Sequence, residues 1–181
     1  MQIHDVNPDI TIENCQPDLF DHYLDDLAHL LHACIYAGAS ISFIHPFDIE
    51  AARGFWQKSV RPGVIAGTRN VLVVKVNGAI AGSVQLDCDT PPNQQHRAEV
   101  AKLLVHPDYR RQGLAKRLMG ALEDLAKTRK RTLITLDTRT GDKAEPLYRA
   151  LGYHTVGSIP AFAKDPFTDS LDPTTIMYKQ L

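Results

Sequence analysis

The first third of the chain carries a helical pattern of apolar residues. These residues recur at three- and four-residue steps, the spacing of one helix face; they are Leu24, Leu27, Leu30, Leu31 and Cys34. The pattern predicts a helix from about Pro17, a residue type favoured in the first helical turn, to Tyr36. A short strand is predicted before it at Ile10–Glu13, and a second helix after it at Phe47–Val60, ended by Pro62.

From Val71 to Leu86 the pattern changes to strands, VLVVKVNGAIAGSVQL. Its Asn77-Gly78 dipeptide tolerates the positive φ angles of a type I′ turn, which predicts an antiparallel hairpin. A polar loop (CDTPPNQQHR) follows, and then a buried strand, EVAKLLV, which Pro107 ends.

The last third predicts a helix, a strand, a shorter helix and two closing strands. Leucines again mark one helix face after the turn PDYRRQG; they are Leu114, Leu118, Leu122 and Leu125. The strand TLITLD follows, and then a helix over Lys143–Leu151 with Gly152 as its C′ residue. Strands are predicted around His154–Ile159 and Thr174–Leu181.

Composition is that of an ordinary globular protein. A length of 181 residues with 44% hydrophobic positions suits one domain with a real core, residues 1–181. The net charge of −1 gives no global field for nucleic acid or an anionic membrane. The first ten residues, MQIHDVNPDI, have no leader pattern, so a cytoplasmic protein is expected. Cys15, Cys34 and Cys88 are widely spaced, which favours small buried thiols over disulfides or a metal site.

The segment LLVHPDYRRQGLA contains a candidate anion site. Its turn leads into a helix start, where free N–H groups and the helix dipole attract negative charge. Gly113 permits close approach of a ligand, Ala115 keeps the helix surface small, and basic residues surround both, so that a pyrophosphate would fit. The alternative is a solvated, Arg-rich helix start with no ligand. The chain lacks GxxxxGK[ST] and GxGxxG, the usual motifs of nucleotide hydrolysis and hydride transfer.

LLVHPDYRRQGLAKRLM resembles the signature of the GCN5-related N-acetyltransferase (GNAT) superfamily, whose turn reads Q/R-x-x-G-x-G/A. Arg110, Gly113 and Ala115 fill those places. Farther on, EPLYRALGY is similar to a second family signature, in which a Tyr, here Tyr148, precedes a helix end marked by Gly-Tyr. The resemblance extends from about Val71 to Leu181. It implies an α/β fold with a mixed, mostly antiparallel sheet of six to seven strands and about four helices.

A narrower likeness is to the tabtoxin-resistance acetyltransferase subgroup. It rests on AGASISFI, RAEVAKLLVHP, LDTRTGDKAEPLYRALGY and PTTIMYK, and it implies a small amino compound as acceptor and a role in detoxification. One position departs from the family, because Gly141 stands where many members have an Asn seven residues before the Tyr. That puts the Asn contact in doubt but not the cofactor site, since most cofactor hydrogen bonds in the family come from backbone atoms.

The resemblance implies acetyl-CoA as co-substrate and direct transfer of its acetyl group to an amine. The pantetheine arm would lie between two splayed strands against Leu103, Leu104 and Val105. The side chains of Leu104 and Val105 are equally explained as core. The pyrophosphate would meet the turn, chiefly through backbone amides. The cofactor residues expected there are Arg110, Arg111, Gln112, Gly113, Leu114, Ala115 and Lys116.

Three side chains are candidates for proton transfer. Glu99 opens one strand and Asp137 ends the next, so both are expected near the split in the sheet. An alkylamine of pKa about 10.4 must lose a proton before attack, at a cost of about 4.6 kcal/mol at pH 7. Glu99 is favoured as the base, acting directly or through water, with a surface ion pair as its alternative. Asp137 is equally explained by holding the substrate ammonium, or it only caps a turn. Tyr148 would lie near the cofactor sulfur and protonate the leaving thiolate, with aromatic packing as the alternative.

An acceptor pocket is expected between the first helices and the C-terminal loop. Its candidate residues are Phe43, Trp56, Asp87 and Asp137, the aromatic ones being equally explained as core. No metal is expected, because His22, His29 and His32 have no clear third ligand.

These features predict an N-acetyltransferase that uses acetyl-CoA and acts on a primary amine of a small molecule. Two alternatives stay open: an acetyltransferase of protein lysine or N-terminal amines, and a non-catalytic acyl-CoA-binding module. The expected partners include neither nucleic acid nor a membrane, and a monomer or homodimer is expected.

Overall fold

The computed structural model describes residues 8–181 around one mixed β-sheet. The prediction that the N-terminus has no leader pattern concerns mainly residues 1–7, which lie outside the described residues. The strands are β1 (Ile10–Asn14), β2 (Arg69–Val76), β3 (Ala79–Asp87), β4 (Arg97–Val105), β5 (Leu133–Arg139), β6 (His154–Lys164) and β7 (Leu171–Gln180).

The sheet order is β1-β2-β3-β4-β5-β7-β6. β4 and β5 are parallel, and the other neighbouring pairs are antiparallel. The predicted mixed, mostly antiparallel sheet of six to seven strands is therefore confirmed.

Helices flank the sheet. Those of the described chain are α1 (Pro17–His22), α2 (Leu24–Tyr36), α3 (Ile49–Phe55), α4 (Arg61–Ala66), α5 (Leu114–Thr128) and α6 (Ala144–Ala150). A π-helical turn, Trp56–Val60, joins α3 and α4 into one continuous stretch. Five helical units thus stand where about four were expected.

The two faces of the sheet bury separate clusters, and β2 shows why. Val71 and Val73 face the cluster built with helices α1 to α4, while Leu72 and Val74 face the cluster built with α5. Successive strand residues point to opposite faces of the sheet, so an uninterrupted apolar run such as VLVV is explained only if both faces are buried. The sheet is therefore held rigidly between helices, and its strand ends can position a site.

The first two predicted helices need correction. The helix expected from Pro17 to Tyr36 is interrupted at Tyr23, whose φ of −91° and ψ of 4° lie outside the helical range. The helix expected to stop at Pro62 continues to Ala66. Pro62 lies in the first turn of α4, where its missing N–H removes no helical hydrogen bond, so it does not end the stretch.

The predicted hairpin is confirmed, and strand ends differ by a few residues. Asn77 and Gly78 both have positive φ, 51° and 86°, as a type I′ turn requires. β6 extends past Ile159 to Lys164, and β7 begins at Leu171 instead of Thr174. Within the described residues, no helix combines the length and apolar character that crossing a membrane requires.

Candidate active site

The site is built on the separation of the two parallel strands. β4 and β5 pair at three positions, the last of which joins Glu99 to Thr135. Beyond that pair β4 continues to Val105 and β5 to Arg139, and two cavities lie along the divergence. Polar backbone along two separating strand edges is available to a ligand that carries amide groups.

The first cavity, of about 420 Å³, extends from this split to the start of α5. β4 contributes all three predicted pantetheine residues, Leu103, Leu104 and Val105. The side chain of Leu104 is itself buried in the core, so backbone is what it can offer a ligand. Cavity residues from the other elements are Cys34, Ala37, Gly38, Ala39, Arg110, Ala115, Arg139, Asp142, Lys143, Ala144 and Leu147.

The turn before α5 has the backbone of an anion site. Arg111 and Gly113 have φ of 64° and 74°, and no side chain caps the helix at Gly113. The first helical hydrogen bond is donated by the amide of Arg117 to the carbonyl of Gly113 at 3.1 Å, so the preceding amides of the helix are free for another acceptor. Left-handed residues beside a helix start aim N–H groups into a concavity suited to phosphate.

The side chains of this turn divide into two sets. Arg111, Gln112 and Lys116 are exposed, whereas Leu114 is buried in the core and offers only its backbone. Arg110 lines the cavity. The predicted pyrophosphate residues thus form one turn, with positive charge around its amides.

Cys34 lies in the wall of the same cavity. Its thiol donates to the carbonyl of Val105 at 3.4 Å, and burial raises its pKa to about 11 although Arg110 nearby acts in the opposite direction. The thiol is therefore protonated near neutral pH and is a poor nucleophile. It fastens α2 to the end of β4.

The second cavity, of about 320 Å³, contains all three side chains predicted for proton transfer, Glu99, Asp137 and Tyr148. Glu99 is exposed, with Arg97 3.7 Å away. Asp137 accepts a hydrogen bond from Thr174 Oγ1 at 3.0 Å. Glu99 pairs with Thr135 of the neighbouring strand, and Asp137 lies two residues after Thr135, so it points to the same face of the sheet as Glu99.

Tyr148 is almost wholly buried, with 6% of its surface exposed. Burial, and then the charges of Asp137 and Asp142, raise the pKa of its hydroxyl. Its ring packs at 5.7 Å from that of Tyr153, so it also has the packing role considered above. At neutral pH the hydroxyl holds its proton.

Gly141 occupies the turn into α6 with φ of 79°. Its amide donates to Glu145 Oε2 at 2.8 Å, and a Cβ built on it would meet no atom within 4 Å. The turn thus forms without the Asn expected from the family pattern.

The structure separates the predicted acceptor residues. Asp137 lines the second cavity, but Trp56 is fully buried and donates from Nε1 to the carbonyl of Leu27 at 2.9 Å. Phe43 packs against Phe47 and Phe55, and Asp87 is ion-paired with Arg69. Trp56 therefore follows the core alternative stated for it, whereas Phe43 is only partly buried and its ring lies 5.7 Å from the ammonium of Lys102, which lines the second cavity.

The three histidines of the N-terminal helices do not converge. His22 packs against Tyr23, His32 packs against Tyr36, and His29 Nδ1 lies 2.8 Å from the carbonyl of Asp25. Over residues 8–181, three or more His, Cys, Asp or Glu side chains do not gather in a group able to hold a metal ion.

Several cavity residues were missed by sequence reasoning. The small residues Ala37 to Ala39 bring the end of α2 against the split, and Lys102 lines the second cavity. Arg139 lines both cavities and is ion-paired with Asp165, after β6, and with Asp172, at the start of β7, each at 3.3 Å. The one sequence signal for these cavity residues was the run of small residues in YAGASIS, because close packing of the end of α2 against the split requires small side chains.

Comparison with known proteins agrees with this geometry. The model of the acetyltransferase (GNAT) family matches residues 24–153. An uncharacterized N-acetyltransferase in the hisH-hisA intergenic region of Azospirillum brasilense is 30% identical over 141 residues, 76% of this chain and 80% of that protein.

Solved structures share the fold. The acetyltransferase yncA of Salmonella typhimurium, determined with its cofactor acetyl-CoA, superposes with a TM-score of 0.76 at 18% identity, covering 95% of this chain and 94% of its own. An acetyltransferase structure from Acinetobacter baylyi gives 0.79 at 16% identity, covering 97% and 95%. Family match, relative and fold agree: the chain belongs to the acetyltransferase (GNAT) family and is an acyltransferase that uses acetyl-CoA.

Proposed function

We propose that this acyltransferase transfers the acetyl group of acetyl-CoA directly to a primary amine of a small molecule. One observation carries the proposal: Glu99, Asp137 and Tyr148 line a single cavity that adjoins the cofactor cavity at the strand split. The two cavities share five lining residues, which are Ala39, Leu103, Arg139, Asp142 and Ala144. An acceptor in one can therefore reach a group held in the other.

The residues present fit acetyl-CoA. The uncapped start of α5 and the positive φ of Arg111 and Gly113 suit a pyrophosphate, and the cavity side of β4 suits the amides of pantetheine. Leu103, Leu104 and Val105 would hold the arm, and the backbone of Arg111 to Ala115 the pyrophosphate. Bound there, the co-substrate supplies an acetyl group activated as a thioester.

The chain's own groups supply the proton transfers. Glu99 accepts the proton of the acceptor amine, directly or through water, and Asp137 holds the ammonium before that proton leaves. Tyr148 keeps its proton at neutral pH, because burial raises its pKa, and donates it to the departing sulfur. A thiol of ordinary pKa near 8.5 leaves readily, so Tyr148 is expected to contribute less to turnover than Glu99.

The size of the second cavity supports a small acceptor. At about 320 Å³ it is at the lower end of small-ligand pockets. Residues 39–42 and Lys102 line it together with the strand ends. The narrower likeness to the tabtoxin-resistance subgroup would add a detoxification role. The same proposal includes a cytoplasmic location and a monomeric or homodimeric state.

An amine panel tests the proposed function. Thiol release from acetyl-CoA is measured with small primary amines and with peptides that carry lysine or a free N-terminus. Release with small amines at least about tenfold more efficient than with peptides is expected. The opposite order would favour protein amines, and acetyl-CoA binding without release for any amine would favour a binding module.

Replacing Tyr148 by phenylalanine is expected to lower kcat by about tenfold. The change removes the donor hydroxyl and keeps the ring against Tyr153, so folding is preserved. Steady-state thiol release with a fixed amine gives kcat and KM, and Tyr178→Phe, on β7, is the matched control. Equal kcat in wild type and Tyr148→Phe would leave the residue with packing alone.

A further inference from the structure

Lys102 stands in the second cavity on an unusual piece of backbone. Between the pairs Gln85–Ala101 and Ser83–Leu104, β4 carries one residue more than β3, which defines a β-bulge. Lys102 lies in that bulge with φ of 50°, a left-handed conformation uncommon for a residue with a side chain. Bulges beside active sites re-aim a side chain, and here the side chain joins the cavity lining.

The ammonium of Lys102 is held by contacts that leave its charge unneutralised. Nζ donates to Ser42 Oγ at 3.0 Å and lies 5.7 Å from the Phe43 ring centre and 6.0 Å from that of Phe55. Ser42 itself has φ of 75°. Two residues in left-handed backbone conformations thus meet across the cavity and fix the position of one cation.

The two basic side chains that line this cavity differ in their partners. Arg139 already has Asp165 and Asp172 at 3.3 Å and Asp142 at 3.9 Å. Within residues 8–181, no carboxylate oxygen approaches the Lys102 ammonium within 4 Å. Burial lowers its pKa, as does Arg69, while Asp137 and Glu99 act from farther away to raise it.

We propose that Lys102 binds a carboxylate on the acceptor, so that the substrate class is small amino acids and related amines bearing an acidic group. The inference rests on the proposed function and specifies its acceptor. Lys102 then holds the acid group on one wall while Asp137 and Glu99 meet the amine. A zwitterion matches this arrangement because its carboxylate meets the cation and its ammonium meets the carboxylates, whereas a simple alkylamine leaves the half-buried cation without a partner.

Matched acceptor pairs test the proposal in the wild-type protein. Alanine and alaninamide, β-alanine and β-alaninamide, and glycine and glycinamide are compared by kcat/KM for thiol release at saturating acetyl-CoA. The carboxylate member is expected to be at least about tenfold the better acceptor, through a lower KM. Amides accepted as well as the acids would overturn the proposal without any variant.

Three variants add a second readout. Lys102→Met keeps the length of the side chain and is expected to lower kcat/KM for the acids about tenfold, with the amides changed less than about threefold. Lys102→Arg is expected to keep the preference for acids, and Lys58→Met, at an exposed position of the π-helical turn, is expected to change neither. An equal fall for acids and amides in Lys102→Met would show a packing role alone.

The outcomes separate this proposal from the proposed function. If amides or alkylamines support thiol release and acids are not preferred, the role of Lys102 is refuted. The proposed small-amine acetyltransferase function then still stands. Failure of every small amine, whether acid, amide or alkylamine, to support release refutes the small-amine function, and the acceptor proposal with it. Thermal melts of all variants identify any that fail to fold, and the wild-type comparison stands without them.

Discussion

Replacing Gly113 by aspartate is expected to weaken acetyl-CoA binding about 100-fold. The residue has φ of 74° at the uncapped start of α5, and an added Cβ meets no atom within 4 Å, so aspartate can be accommodated. Its carboxylate would lie among the amides proposed to hold the pyrophosphate. At about 4 Å and an effective dielectric constant near 20, two like charges repel by about 4 kcal/mol, and solvent screening at this exposed turn reduces that to about 2–3 kcal/mol.

Gly113→Asn is the matched control, because asparagine has the same shape and also tolerates left-handed backbone. It isolates the charge, and a loss of no more than about tenfold is expected from bulk and strain. Gly120→Asp places the same charge on the exposed face of α5, away from the turn, and should leave affinity unchanged. Isothermal titration calorimetry measures all four proteins. Equal affinity of the Asp and Asn variants would contradict the pyrophosphate assignment.

The geometry of the turn before α5 could be predicted because its determinants are local. A glycine in left-handed conformation, a helix start and the preceding buried strand all lie within the segment from Leu103 to Ala115, so a short motif specifies them together. The hairpin at Asn77-Gly78 was predictable for the same reason, since two adjacent residues determine the turn. The mixed, mostly antiparallel sheet was predicted from the resemblance of these segments to the GNAT superfamily.

The acceptor side depends on contacts between distant parts of the chain. Lys102 meets Ser42 across 60 sequence positions, and nothing in either segment alone indicates the pairing. An aromatic side chain on a predicted helix can line a pocket as well as the core, so the indole of Trp56 was equally compatible with a pocket and with the core it occupies. The prediction for Pro62 was wrong because a proline can either end a helix or lie in the first turn of the next one. Only the π-helical turn before Pro62 shows that the helical stretch continues into α4.

Replacing Glu99 by glutamine is expected to lower kcat/KM for an alkylamine acceptor by about 100-fold at pH 7. Without a base, turnover depends on the small fraction of amine that is already deprotonated, and a positioned base typically contributes about 10²- to 10⁴-fold. The deprotonated fraction rises about tenfold per pH unit below the amine pKa of about 10.4. The deficit of Glu99→Gln should therefore narrow from pH 7 to pH 9, as measured by thiol release across that range.

Asp137→Asn separates the two carboxylates that line the same cavity. The Asn side chain can still accept from Thr174 Oγ1, so only the charge is removed. If Asp137 holds the ammonium, its loss raises KM for the acceptor and leaves kcat within about threefold, without the pH-dependent recovery expected for Glu99→Gln. Glu50→Gln, exposed on α3, controls for loss of one negative charge. A pH-dependent deficit in Asp137→Asn, with Glu99→Gln near wild type, would instead assign the base to Asp137, because only the group that removes the proton can be replaced by raising the pH.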